Sequence, residues 1–154
     1  MSAYGEVEFF MEKILVALDP EKTSVWTVVH GLNLARRIHA KLFILIVSGC
    51  TVSEGLEKPL PVRLKEEVES LIEEARSEGI SVELYIASGA FDEEVVKFIR
   101  DNKVTLLVLG VPPSCKKGAS TKFFDFVEKI RRRVDCRIEI VNEKGVKITS
   151  KRSE

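Results

Sequence analysis

ILVALDP (residues 14–20) is five apolar residues, then an acid and a proline. The run is too short for a typical helix, is β-branched at Ile14 and Val16, and stops at a pair that breaks regular structure. It reads as a strand. It shows no alternation of apolar and polar residues. A strand that is apolar on both faces belongs inside a parallel sheet, with helices above and below. Three further runs read the same way, at 42–47, 82–87 and 104–109. A fifth, 137–141, sets Ile138 and Ile140 against Arg137 and Glu139. That alternation fits a half-exposed edge strand.

Between the strands, apolar residues recur at helical spacing. Val25, Val28, Val29, Leu32 and Ala35 form one stripe, and Thr23 or Ser24 can cap its start by accepting an orphan N–H. Leu64, Val68, Leu71, Ile72 and Ala75 form a second, opened by Pro61 and closed by Gly79. Asp92 caps a third, with Val95, Val96 and Ile99 inward. Phe123, Phe126, Val127, Ile130 and Val134 form a fourth. The arginines at 131–133 near its end suit a solvated face that complements the helix dipole. Strand and helix in alternation predict an α/β fold with right-handed crossovers, a doubly wound sheet with helices on both faces. The expectation is a single domain over 1–154, its core at 13–141, with terminal extensions at 1–12 and 142–154. Residues 49–60 read as a loop. In the tail, a turn at 142–145 would let 146–149 form an extra antiparallel strand against the fifth.

The chain has 154 residues, 45% of them hydrophobic, and a formal net charge of zero. That is enough apolar matter for one core, and no basic excess points to nucleic acid. The longest apolar run, 42–47, is far too short to span a bilayer. The first residues lack the cationic start and apolar centre of a signal peptide. A cytoplasmic protein, away from membranes, is expected. Cys50, Cys115 and Cys136 are an odd, dispersed set. They make no disulfide framework and no zinc cluster, and ordinary half-buried thiols are expected. His30 and His39 are nine apart, off metal-ligand spacing, and read as core-edge or surface residues.

Ligands of an open α/β sheet bind beyond the carboxyl ends of its strands. Residues 19–22, 47–49 and the loop after the fourth strand should meet there. No histidine falls at a strand end and no Ser, His and Asp are placed as a triad. Asp19 and Glu21 are the carboxylates at hand. The phosphate-loop and dinucleotide glycine patterns are absent. An enzyme is not expected.

The order of motifs resembles the universal stress protein family. The carriers are residues 14–19, Ser24 at the first helix, Leu34-Ala35, the turn at 88–96, and the fourth-strand segment at 101–110. The resemblance spans Lys13 to Val141. It implies a five-stranded parallel sheet of order 3-2-1-4-5, frequent dimers through the fifth strand, and either an ATP-binding or a non-binding member. By that resemblance Asp19 matches the acid that contacts the nucleoside, Val47 a residue at the adenine, and Gly110 the first glycine of the phosphate motif. The second glycine position holds Pro113, which has no N–H to donate. The final Gly-Ser position falls near Phe124-Asp125, where a ring and a carboxylate would obstruct and repel a triphosphate. Gly118, Ser120 and Thr121, beside Lys116 and Lys117, offer amides and hydroxyls in another register, or Ser120 only caps the helix. The first expectation is a non-catalytic regulatory or interaction domain without a cofactor, its ATP binding weak or absent. It would pair as a homodimer through the C-terminal edge region or bind a protein partner. The alternative is an ATP-binding member that uses Asp19, Val47, Gly110, Gly118, Ser120 and Thr121.

Overall fold

A computed structural model describes residues 11–19, 25–48, 50–51, 56–57, 62–111, 121–142 and 147–148. Its elements run β1 (Lys13–Leu18), α1 (Trp26–Ile38), β2 (Lys41–Ser48), β3 (Cys50–Thr51), β4 (Leu56–Glu57), α2 (Val62–Ser77), β5 (Val82–Ser88), α3 (Phe91–Asn102), β6 (Leu106–Gly110), α4 (Thr121–Arg131), β7 (Arg137–Val141) and β8 (Lys147–Ile148). The main sheet has the order β5-β2-β1-β6-β7-β8. All its pairs are parallel except β7 with β8, which is antiparallel. Numbered among themselves, the five parallel strands follow the expected order 3-2-1-4-5.

The alternation of side chains along each strand divides the core in two. Ile14, Val16 and Leu18 of β1 join Ile44, Ile46 and Val108 beneath α1 and α2. Leu15 and Ala17 join Phe43, Leu45 and Leu107 beneath α3 and α4. Val16, Ile44 and Val108 are completely buried. Gly31 fixes how close α1 lies to the sheet. A Cβ at that position would overlap Cγ2 of Val16 and stand 3.5 Å from Cδ1 of Leu42.

Four details differ from the sequence reading. First, β5 is not buried on both faces. It is the outer strand of the sheet, with Tyr85 and Ile86 exposed. Its run contains Glu83, whose carboxylate turns out to Lys41 Nζ at 3.0 Å. Second, α3 is preceded by Ala90 in extended geometry, so Asp92 lies inside the first turn with Glu93 and Glu94. The three carboxylates still favour the positive end of the helix. Third, α4 ends at Arg131, and Val134 packs on the core beneath α3 and α4 from the connection that follows. Fourth, the stretch read as a loop carries the short pair β3–β4, joined at Cys50↔Glu57 and Thr51↔Leu56. Two residues per strand leave no periodic signal. The capping residues proposed for α1, Thr23 and Ser24, lie outside the described residues.

The extra antiparallel strand of the tail is present at Lys147–Ile148, while residues 143–146 and 149 of the expected turn and strand lie outside the described residues. Ile140 pairs with Ile148 and Val141 with Lys147. The outer edge of β7 is therefore taken up at those two residues.

Candidate functional site

Three adjacent strands end together. Leu18 of β1 is in register with Ile46 of β2, and Ala17 with Leu109 of β6. One residue on from these partners come Asp19, Val47 and Gly110, so the topology brings all three to the carboxyl edge of the sheet centre. Asp19 is partly exposed just past β1. Val47 is buried, and its side chain belongs to the core under α3 and α4. Gly110 closes β6 opposite Val141. The next residue, Val111, donates its N–H to the Val141 carbonyl at 2.8 Å, holding the exit of β6 against β7. Thr121 opens α4. Gly118 and Ser120 lie outside the described residues, as do Pro113 and the side chain of Thr121.

The first turns of α3 and α4 face the same edge, and they are aromatic. Phe91 and Phe126 have ring centroids 5.1 Å apart, Phe123 and Phe126 6.5 Å, and Phe123 and Phe124 5.2 Å. Phe91, Phe123 and Phe126 pack onto the core. Phe124 and Asp125 are exposed. The first N–H groups of a helix have no carbonyl one turn back and can bind an anion. In α4, the exposed Phe124 and Asp125 are the fourth and fifth residues, at the end of that turn and just past it. Their place there follows from sequence position. The stacking of the four rings does not, since it joins two helices distant in sequence.

At the opposite edge, a cleft of about 350 Å³ is lined by Ile99, Arg100, Val104, Arg132, Arg133, Val134 and Asp135. Arg100 Nη2 donates to the Arg133 carbonyl at 2.9 Å. The arginines there flank the ends of α3 and α4, where cations offset the negative pole of a helix.

His30 is a core-edge residue. Its Nε2 lies 3.1 Å from Oε1 of Glu139, tying α1 to β7 across a pair that is mostly shielded from solvent. Among the described residues, no group of three or more His, Cys, Asp or Glu is gathered to hold a metal. No described helix is long and apolar enough to cross a membrane.

Cys136 is half-buried, and burial pushes its thiol up to about 11. The thiolate is the nucleophile, so its alkylation near pH 8 is expected to run roughly 100-fold slower than that of an exposed thiol. Timed iodoacetamide labelling with peptide mapping measures this. The rate should climb steadily with pH up to about 11. A rate equal to that of a free thiol at pH 8 would contradict the burial.

Fold and site together define a doubly wound α/β domain in which the carboxyl ends of β1, β2 and β6 lie side by side at the point where strand order reverses. A family model described as the universal stress protein family matches residues 11–140. The chain belongs to that family. No curated protein sequence matches it. Among solved structures, it is similar to a universal stress protein in complex with cAMP, at a TM-score of 0.61 and 20% identity over 86% of this chain and 97% of that one. It is also similar to the Archaeoglobus fulgidus universal stress protein in complex with dAMP, at 0.55 and 15% over 85% and 97%. A family member from Arabidopsis thaliana with AMP bound gives 0.51 and 11% over 85% and 91%. At these identities the likeness is one of fold.

Proposed function

We propose that this chain is a non-catalytic, cytoplasmic universal stress protein that regulates or docks onto other proteins and binds ATP weakly or not at all. The first turn of α4 carries this reading. By the family motif's spacing its glycine and hydroxyl fall near Phe124-Asp125, both at the surface, while the hydroxyl residue of this turn, Thr121, stands earlier, at the opening of the helix. Pro113 removes a further amide donor from the preceding loop. The partners in this reading are a protein or a second copy of the chain. A dimer through the C-terminal edge would use β8 as its outer strand there, and β8 is two residues long.

A second reading is favoured by the meeting of Asp19, Val47 and Gly110 at one edge, and by the cAMP, dAMP and AMP named in the similar structures. In it, the chain holds a nucleotide with those three residues and the 118–121 turn. Native mass spectrometry of the freshly purified protein separates the two. The first reading expects the mass of the polypeptide alone. A retained adenine nucleotide at one per chain would establish the second.

A further inference from the structure

β5 is the outermost strand on its side of the sheet, and among the described residues no strand pairs with its outer edge. The direction of its backbone groups can be read from its two ends. The Ser81 carbonyl accepts from Leu42 N at 2.9 Å, and Gly89 N donates to the Ser48 carbonyl at 3.2 Å. Both residues are odd-numbered, so odd residues turn their N–H and C=O toward β2. Val82, Leu84 and Ile86 turn theirs outward.

Such an edge is a template for another strand unless something guards it. Among the described residues only its start is guarded, where Arg76 of α2 donates to the Val82 carbonyl from Nε at 3.2 Å and from Nη2 at 2.8 Å, which leaves the outward groups of Leu84 and Ile86. β5 is seven residues long and contains neither proline nor lysine. Its one charged side chain, Glu83, is drawn to its own neighbours, accepting from the Tyr85 hydroxyl at 2.7 Å and pairing with Lys41. Tyr85 and Ile86 are 42% and 49% exposed, one on each face of the sheet. Tyr85 is the outer end of an aromatic group, 5.1 Å from Phe98 and 6.2 Å from Phe43.

We propose that β5 is a self-association surface, on which a second copy of this chain adds its own β5 antiparallel about a two-fold axis at Tyr85. The inference goes beyond the nucleotide question and does not depend on it. The strand is complementary to itself in this register. Leu84 falls opposite Ile86 of the second copy, and both point their backbone groups outward, so each such pair exchanges both of its hydrogen bonds. Tyr85 falls opposite itself at a non-hydrogen-bonded position, where side chains are closest. The two aromatic groups then join into one. Glu83 falls opposite Ala87, which keeps the two carboxylates apart. A register with Glu83 opposite itself would set like charges side by side. The other end of the sheet is a poorer template, because β8 has two residues and one is Lys147.

Sedimentation velocity of the full chain across the micromolar range tests the proposal, together with two variants. The chain should form dimers. Ile86→Lys places the natural guard at an exposed position and should weaken the dimer by at least about tenfold, with an unchanged denaturation midpoint under monomeric conditions. Tyr85→Cys, in a chain whose Cys50, Cys115 and Cys136 are replaced by alanine, should form an intermolecular disulfide on mild oxidation. Its self-opposed Cα atoms, about 4.5 Å apart, are within bridging range. Glu83→Cys in the same background should not. A chain monomeric throughout would overturn the proposal. So would a dimer indifferent to Ile86→Lys, or one that cross-links equally well through Glu83→Cys.

Discussion

Ile44→Ala is expected to lower the unfolding free energy by about 2–5 kcal/mol, enough to leave a domain of this size marginal or unfolded. Ile44 is fully buried in β2, in register with Val16 of β1 on one side and Leu84 of β5 on the other. Above it lies the core under α1 and α2. Truncation removes the transfer energy of the lost methyl and methylene groups and leaves a cavity. The surroundings cannot collapse easily into that cavity, because the neighbouring strand residues are held by parallel ladders on both sides. Val16→Ala, which removes less volume from the adjacent strand, should cost about 1–3 kcal/mol. Urea denaturation followed by circular dichroism measures both. A midpoint for Ile44→Ala within error of the parent would mean that β2 does not lie between β1 and β5.

The second large effect concerns the phosphates. A family-like site would gain affinity with each phosphate-directed amide, at about 1.5–3 kcal/mol for a hydrogen bond to a charged group. Pro113 removes one such donor, and by the family motif's spacing the Phe124-Asp125 pair falls where others are expected. Two lost contacts remove about 3–6 kcal/mol, which is roughly two to four powers of ten in affinity. Asp125 adds repulsion toward a polyanion. The expected outcome is that ATP binds no more than about tenfold tighter than adenosine. Competition measured through the intrinsic fluorescence of Trp26, the single tryptophan of the chain, can compare the two. ATP favoured by a thousandfold would mean that residues 118–121 have rebuilt the phosphate site in their own register.

The fold was legible because four strands are written as unbroken or nearly unbroken apolar runs, and the helices between them keep one stripe each. β5 misled because an apolar run with one glutamate is the same string at a sheet's edge as at its centre. Only the pairing order shows that Tyr85 and Ile86 look outward. Gly31 carried no signal at all. A glycine within a helix says nothing of what it faces until Val16 is placed beneath it. His30 and Glu139 are 109 residues apart, and nothing local in either hints at the other. At the site, strand ends are visible in the sequence, so Asp19, Val47 and Gly110 could be set at one edge. That Val47 would point into the core depends on the pleat phase of β2, which a run apolar on both faces does not reveal.

The reading of this chain as a family member that has lost its hold on triphosphate is tested most directly by calorimetric titration of the purified full chain with ATP. The account predicts heats no larger than dilution, or a dissociation constant weaker than about 100 μM, which corresponds to about 5.5 kcal/mol of binding free energy. Asp19→Ala should then leave the titration unchanged. A low-micromolar constant at one ATP per chain, weakened by Asp19→Ala, would contradict the account and establish a working nucleotide site at the carboxyl ends of β1, β2 and β6.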